Sequence, residues 1–291
     1  MSTSTVTLGD VQITRVVEIP RSTYPTANML PTSDAGVIAR HRAGWLGAFY
    51  DESTGDLGSR IQSYVVRTPE ETVLIDTCVG NDKARENQLW NMRQGTWLED
   101  LRAAGVAPED VDYVLCTHMH VDHVGWNTRR VGGAWVPTFP RAQYVFVGEE
   151  WEFWKHESAS GRDHDGCIDD SVVPIVDAGC AKLVDPRAAI GKSLRFEPWP
   201  GHTPGHSCVR LTTRAGEAVF SGDLMHRVVQ VAEPQWSSQF CYDGAQAAKT
   251  QREFMERHSD TRTLVCAAHF PTPGYVVKTA DGHRFEAAPA S

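Results

Sequence analysis

The sequence predicts a layered α/β fold in which sheets are flanked by helices. Segments with the apolar pattern of β-strands occur in runs, segments with helical spacing lie between them, and histidine and aspartate residues stand directly after strands. Sheets and helices each carry an apolar face that must be buried against another layer. We therefore expect layers of sheet covered by helices, with the functional residues on loops.

Strand-like segments dominate the first third of the chain and return in the last third. In these segments apolar residues alternate with polar ones or form β-branched runs, and turn residues such as Pro69 separate them. The segments are residues 6–19, 60–68, 72–76, 111–117, 142–148, 193–199, 208–213, 217–223 and 263–269. The strand at 111–117 leads directly to His118.

Three segments have the spacing of helices. In the first of them Leu98 and Leu101 share one face, and Gly105 marks the end. The three segments are residues 97–105, 149–157 and about 243–258. Residues 158–170 are polar and indicate a loop or a cap. We expect a single domain over residues 1–291, with an inserted or capping segment at about 124–196.

The charge balance argues against a polyanionic partner. The 291 residues include 28 Lys and Arg against 37 Asp and Glu, a formal net charge of −9, and the basic residues are scattered. Binding to phosphates needs clustered basic side chains. We therefore expect a small-molecule substrate and no nucleic acid, and the sequence leaves both a monomer and a homodimer open.

The sequence shows no pattern typical of export or of membrane insertion. Met1 to Asp10 contain no basic stretch followed by an apolar one, and no later run approaches about 18 apolar residues. The seven cysteines include no CxxC pair, which favours small buried side chains in a reducing compartment. We expect a cytoplasmic protein without a membrane partner.

Four residues with metal-ligating side chains lie within six positions. The segment reads His118-Met119-His120-Val121-Asp122-His123 and follows an apolar strand. Imidazole nitrogens and carboxylate oxygens suit zinc and related divalent ions. A solvated polar turn is the alternative, but with only 12 histidines in the chain such a density favours a metal site.

This segment resembles the His-x-His-x-Asp-His signature of the metallo-β-lactamase superfamily. Three further segments resemble later family motifs in the same order: Gly201-His202-Thr203-Pro204-Gly205-His206, Phe220-Ser221-Gly222-Asp223 and Ala267-Ala268-His269. The resemblance covers about residues 60 to 275. It implies an αββα sandwich that carries two divalent metal ions. Zinc is the expected metal, although the same ligand types also suit manganese, iron or cobalt.

The resemblance also implies a ligand set. One metal is expected on His118, His120 and His206, and the other on Asp122, His123 and His269, with Asp223 bridging both. Both histidines of the 201–206 segment could reach a metal, and the family pattern favours His206 over His202. Asp76 resembles a family position that orients ligands from outside the coordination sphere. On its own it would equally serve to cap a turn.

Hydrolysis by a metal-bridging hydroxide is the reaction class that such a centre implies. Residue 223 is Asp and no cysteine completes the site, which resembles lactonases and glyoxalase II more than zinc β-lactamases with a Cys ligand. The chain resembles the methyl parathion hydrolase and N-acyl homoserine lactonase branch. Segments 222–226 and 267–271 resemble methyl parathion hydrolase, whereas the Tyr that lactonases commonly carry shortly after the bridging Asp is absent from Leu224-Met225-His226. The implied substrates are small neutral carboxylic esters, lactones or phosphotriesters. A glyoxalase II-like thioesterase and a non-catalytic metal-binding or sensing protein are the alternatives.

Three residues are candidates for roles in the chemical step. Asp122 could shuttle a proton, Asp223 would hold both metals, and His226 would donate a proton to the substrate or make a structural hydrogen bond.

Five of the nine tryptophans cluster in sequence around the proposed site: Trp126, Trp151, Trp154, Trp199 and Trp236. We expect one or two of them to line an apolar pocket and the others to be buried.

Overall fold

Strands make up most of the regular structure. The computed structural model describes residues 3–22, 24–163 and 165–289. The strands in this part of the chain are β1 (Thr3–Leu8), β2 (Val11–Ile19), β3 (Tyr50–Asp51), β4 (Asp56–Leu57), β5 (Ile61–Arg67), β6 (Thr72–Ile75), β7 (Tyr113–Leu115), β8 (Thr128–Val131), β9 (Ala134–Pro137), β10 (Gln143–Val147), β11 (Ala181–Val184), β12 (Ala189–Ile190), β13 (Leu194–Pro198), β14 (Ser207–Thr213), β15 (Gly216–Gly222), β16 (Leu264–Ala267), β17 (Gly274–Thr279) and β18 (Gly282–Ala287).

Helices lie between the strands, and most of them are short. They are α1 (Thr26–Met29), α2 (Ala35–Arg42), α3 (Trp97–Ala103), α4 (Val121–Val124), α5 (Gly148–Ala159), α6 (Cys167–Ser171), α7 (Val173–Asp177) and α8 (Gly244–His258). Single 3₁₀ turns occur at Trp45–Phe49, Pro108–Asp110, Gly125–Asn127 and Val228–Val231. In the described residues, none of the helices has the length and apolarity needed to cross a membrane.

Two seven-stranded sheets organise the fold. Their strand orders are β1-β2-β5-β6-β7-β10-β11 and β12-β13-β14-β15-β16-β17-β18. In the first sheet β6, β7, β10 and β11 run parallel to one another, and in the second sheet β15 is parallel to β16; the other neighbouring pairs of the two sheets are antiparallel. The pairs β3–β4 and β8–β9 form separate two-stranded ribbons. Each half of the chain therefore contributes one sheet.

The two sheets pack face to face, and their strands carry apolar side chains on the outer faces as well. Along β5, Tyr64 and Val66 belong to the core between the sheets, whereas Val65 belongs to the core on the outer face. Along β15, Phe220 faces the inner core and Val219 faces outwards. Successive side chains of a strand point to opposite faces. Each sheet therefore has an apolar inner face and an apolar outer face.

Helices cover the outer faces. Trp97 of α3 and Ile168 of α6 pack on the first sheet, and Phe254 and Met255 of α8 pack on the second. Asp243 caps α8 by accepting a hydrogen bond from the backbone N–H of Gln246 (2.9 Å). The order of layers is helix, sheet, sheet and helix, which confirms the layered α/β fold and the αββα sandwich expected from the sequence.

The predicted elements lie close to the observed ones, and residues 124–196 have a mixed character. This segment contains β10 and β11, which extend the first sheet beyond β7, together with β8, β9 and α5 to α7. Part of the stretch predicted as a loop or cap begins α6, and its His164 lies outside the described residues, as do Met1 and Ser2 of the N-terminal stretch. A single domain with an inserted segment stays a prediction. All seven cysteines are free.

Candidate metal centre

The histidine and aspartate residues of the motifs converge at the carboxyl ends of four strands. Asp76 follows β6, His118 follows β7 after two residues, Asp223 follows β15, and His269 follows β16 after one residue. The loop between β13 and β14 adds His202 at the same edge. Because β6 is parallel to β7 and β15 to β16, each sheet delivers two loops to this edge.

The first group of possible metal ligands consists of His118, His120, His202 and Asp223. Nε2 of His118 lies 3.1 Å from Nδ1 of His120, and Nε2 of His202 lies 2.8 Å from the same atom. Nε2 of His202 is also 3.3 Å from Oδ2 of Asp223. The four ligand atoms lie within 4.8 Å of one another, so that one ion could contact all of them.

The second group consists of Asp122, His123 and His269, and it faces the other oxygen of Asp223. Nε2 of His123 and Nε2 of His269 each lie 3.0 Å from Oδ1 of Asp223. Nε2 of His269 is 3.6 Å from Oδ2 of Asp122. The Asp223 carboxylate thus lies between the two groups, with one oxygen directed to each.

Buried atoms without hydrogen-bond partners show that the residues fit metal ions. Nε2 of His123 and Oδ1 of Asp223 are both buried, and neither has a hydrogen-bond partner among the described residues. Leaving such atoms unsatisfied is costly unless a cation or a proton compensates them. Imidazole nitrogens and carboxylate oxygens are the donors that zinc and its neighbours prefer. The donor set therefore suits divalent metal ions.

Residues outside the two groups orient the imidazoles. Asp76 accepts a hydrogen bond from Nδ1 of His123 (2.8 Å) and is itself held by the backbone N–H and the hydroxyl of Thr117. The backbone carbonyl of Arg60 accepts a hydrogen bond from Nδ1 of His269 (2.8 Å). With Nδ1 donating, Nε2 of each ring keeps its lone pair for a metal. Asp76 thus has the position expected of an orienting residue.

His202 and His206 differ in their surroundings. Nδ1 of His206 donates to the carbonyl of Trp199 (2.9 Å), and its Nε2 accepts the backbone N–H of Asp223 (3.2 Å). His202 directs Nε2 at the Asp223 carboxylate and belongs to the first group, to which His206 does not belong. The expectation that His206 is the ligand and His202 the supporting residue stays a prediction.

Gly222 is required for the close approach of Asp223 to the first sheet. Its φ angle is +49°, in the left-handed region, and a Cβ atom at this position would lie 2.6 Å from Oγ1 of Thr117 and 2.8 Å from Nε2 of His206. A side chain here would clash with both neighbours. The Ser-Gly-Asp sequence thus lets the end of β15 reach the histidines that follow β7.

Burial and charge set the protonation of the imidazoles. Burial lowers the pKa of His118 and of His120 well below the usual range, with neighbouring histidines adding to the shift, and it lowers the pKa of His202 to about 4. Burial would also lower the pKa of His123, but the Asp223 and Asp76 carboxylates outweigh it and raise that pKa well above its usual value. The two carboxylates thus favour a positive charge at His123, and a metal ion on Nε2 would supply that charge in place of a proton.

His226 and one tryptophan lie beside the two groups. Nε2 of His226 is 3.1 Å from Oδ2 of Asp223, and its ring stacks on His269 at a centroid distance of 5.2 Å. With Asp223 and His269 it forms a third set of possible ligands. The Trp154 ring contacts His120 edge-on at 5.2 Å. The other four tryptophans named from the sequence belong to the buried cores.

Two residues that the sequence analysis missed also contact the site. The buried Glu150 carboxylate accepts hydrogen bonds from the loops that carry His118 and His202. Sγ of Cys241 lies 3.6 Å from Nδ1 of His202. Neither residue belongs to a recognisable motif. The one signal for Glu150 is its place next to Trp151 and one helical turn before Trp154.

The chain is similar in sequence to proteins described as N-acyl homoserine lactonases. It is 25% identical over 182 residues to an N-acyl homoserine lactonase from a Bacillus species, a match that covers 56% of this chain and 63% of the lactonase. The chain thus matches less than two thirds of the length of that relative.

Solved structures and a family model extend the likeness. The hydrolase AbOPH superposes with a TM-score of 0.83 at 22% identity, covering 100% of this chain and 98% of AbOPH. AidC, a dizinc quorum-quenching lactonase solved with a product, superposes with a TM-score of 0.78 at 19% identity over 100% and 98% of the two chains. At these identities the likeness concerns the fold. The family model matches residues 58–269, which include all the possible metal ligands, and the chain therefore belongs to the metallo-beta-lactamase superfamily.

Proposed function

We propose that this protein is a hydrolase that uses two divalent metal ions to cleave small neutral carboxylic esters, lactones or phosphotriesters. The observation that carries the proposal is the position of Asp223, whose two carboxylate oxygens each face a separate group of ligand-type residues. A carboxylate shared in this way is typical of two-metal hydrolytic sites. The relatives and neighbours described as lactonases and hydrolases support the same reaction class.

The proposed ligand sets follow the two groups. His118, His120 and His202 would hold the first ion, and Asp122, His123 and His269 the second, with Asp223 bridging both. Zinc suits the mixture of nitrogen and oxygen donors, and AidC is described as a dizinc enzyme. When bound, two such ions lower the pKa of water and polarise a carbonyl or phosphoryl oxygen.

Asp122 and His226 are the residues of the chain that we assign to substrate and proton handling. Asp122 would pass a proton from the site to solvent, and its greater exposure than that of Asp223 supports this role. Nε2 of His226 contacts Oδ2 of Asp223, whereas Nε2 of His123 contacts Oδ1, and His226 would donate a hydrogen bond to a substrate oxygen. A water nucleophile makes a serine or cysteine nucleophile unnecessary.

An aromatic surface beside the first group supports a partly apolar substrate. Phe153 contacts both Trp154 and Tyr242 (5.2 and 5.1 Å between ring centroids), and Phe240 contacts Tyr24 (5.6 Å). The side chains of Phe240 and Tyr242 are exposed. The backbone N–H of Tyr242 donates a hydrogen bond to the carbonyl of His202 (2.8 Å). This bond fixes the aromatic surface, called here the aromatic rim, next to the site. An acyl or aryl group could lie against it.

A substrate panel on zinc-loaded protein tests the proposal. It contains lactones, aryl carboxylic esters, aryl phosphotriesters and the thioesters acyl-glutathione and acyl-CoA, with metal content measured on the same samples. We expect about two ions per chain and a higher kcat/KM for oxygen esters than for thioesters. A clear preference for thioesters would favour the glyoxalase II-like alternative. Two bound ions without turnover of any substrate would favour a metal-binding or sensing role.

A further inference from the structure

A buried carboxylate outside the proposed ligands joins the two loops that carry the first group. Glu150 lies in the first turn of α5 and is 2% exposed. Its Oε1 accepts hydrogen bonds from the backbone N–H of Met119 (3.0 Å) and from Nε1 of Trp154 (2.8 Å). Its Oε2 accepts hydrogen bonds from the hydroxyl of Thr203 (2.8 Å) and the backbone N–H of Gly205 (3.0 Å).

The partners of Glu150 are neighbours of the first ligand group in sequence. Met119 lies between His118 and His120, and Thr203 follows His202. Trp154, one helical turn after Glu150, places its ring edge-on against His120. The carboxylate therefore reaches all three histidines of this group through the residues next to them or packed on them.

The contact between α5 and the 201–206 loop leaves no space for adjustment. A Cβ atom at Gly205 would lie 2.5 Å from the backbone nitrogen and 2.7 Å from Cα of Glu150. Glycine at this position allows the loop to approach the helix closely enough for the hydrogen bond to Oε2. Both oxygens of the carboxylate are fully used, and no Lys or Arg of the described residues forms an ion pair with it.

We propose that Glu150 is a positioning residue that fixes the 118–120 loop against the 202–205 loop and thereby sets the metal affinity of the first ligand group. The inference rests on the proposed two-metal function. The second group has its own supports, the Asp76 carboxylate and the Arg60 carbonyl, and does not share these hydrogen bonds. The effect of Glu150 is therefore confined to the first group.

Glu150→Gln, with Glu149→Gln as its matched control, tests this inference. The amide keeps one acceptor oxygen but directs an NH2 group at two of the four donors. Glu149 is its exposed neighbour on α5 and loses the same charge. Zinc binding is measured by competition with a chelator. We expect one of the two binding steps of Glu150→Gln to weaken about 10- to 100-fold, as is usual when an outer partner of a ligand is lost. The zinc affinity of the other step, and of both steps in Glu149→Gln, should change less than about twofold.

A double-mutant cycle with His202→Ala assigns the weakened step. If Glu150 acts through the first group, Glu150→Gln should add little to the loss already caused by His202→Ala. Equal weakening of both steps, or no weakening of either, would overturn the inference. A wild-type protein that binds fewer than two ions would instead contradict the proposed function.

A second pair of variants applies even if Glu150→Gln does not fold. Thr203→Val removes the hydroxyl that donates to Oε2 and keeps the shape of the side chain, whereas Thr203→Ser keeps the hydroxyl. We expect Thr203→Val to weaken zinc binding in the same step at least threefold. Thr203→Ser should keep the wild-type affinity in that step, because it retains the hydroxyl that donates the hydrogen bond. Identical zinc affinities for the two variants would contradict the inference.

Discussion

Nε2 of His123 lies 3.0 Å from Oδ1 of Asp223, and neither atom has a hydrogen-bond partner among the described residues although both are buried. Asp76 holds the His123 ring from the other side and prevents it from turning away. A geometry that directs a lone pair and a carboxylate oxygen at a common point is unfavourable unless a positive charge is shared there. Divalent metal ions supply that charge in the proposed function.

Removing the shared carboxylate should therefore disrupt both metal sites. For Asp223→Ala we expect bound zinc to fall from about two ions per chain to one or fewer, and hydrolysis to fall below detection. Elemental analysis after dialysis measures the metal, and the preferred ester of the panel measures activity. Asp169→Ala, which removes a carboxylate from α6, serves as the control. Unchanged metal content in Asp223→Ala would contradict the bridging assignment.

The two histidines of the 201–206 segment should behave differently when replaced. His202→Ala removes a proposed ligand, and we expect it to lose about one ion per chain. His206→Ala removes hydrogen bonds to Trp199 and to the backbone of Asp223, so we expect it to keep two ions but to lose about 1–3 kcal/mol of unfolding free energy. Metal analysis and urea denaturation distinguish the two. The reverse pattern would support the assignment made from the sequence.

The extent to which the sequence predicted the site depends on how local each contact is. The segment His118 to His123 is short and follows a strand, so its convergence could be predicted from spacing alone. The choice between His202 and His206 could not be predicted from spacing, because both residues are followed by small or polar residues and both are buried. Gly201, with a φ of +133° and a close contact to Ala247 of α8, fixes how the loop turns. This contact joins residues that are far apart in the sequence, so the local sequence does not reveal it.

Non-local contacts likewise explain why the layers were predicted more successfully than the supporting residues. The strands β5 and β15 are largely apolar on both faces, and this pattern is visible within seven residues. Glu150 meets Met119 and Gly205 across separations of 31 and 55 residues. Its neighbour Glu149 is chemically identical but exposed. Only the position of α5 against both loops distinguishes them.

Changes in the aromatic rim should alter preference for the acyl chain more than they alter catalysis. Tyr242→Ser removes an exposed ring that contacts Phe153. We expect kcat/KM for a decanoyl lactone to fall about 10-fold, and that for a butanoyl lactone to change little, since burial of each CH2 is worth about 0.8 kcal/mol. Val131→Ser, an exposed apolar residue on the β8–β9 ribbon, is the control. An equal fall for both lactones would contradict a role in chain binding.

His258, at the end of α8, should contribute to the loss of stability in acid. Burial lowers the pKa of His258 from 6.5 to about 4, and Arg210 and Arg257 add to the shift. Between pH 6.5 and 4 the unfolded chain gains a proton that the folded chain does not bind, so this group reduces stability as the pH falls and has no effect above that window.

The His258→Gln variant should therefore show a weaker dependence of stability on pH. Relative to the wild type, we expect it to lose about 3 kcal/mol less unfolding free energy between pH 6.5 and 4. Urea denaturation of chelator-treated protein measures this, because removing metal excludes protons that are linked to metal binding. His156→Gln, at an exposed position on α5, should follow the wild-type pH profile. A His258→Gln profile parallel to that of the wild type would show that His258 is protonated equally in the folded and unfolded chains.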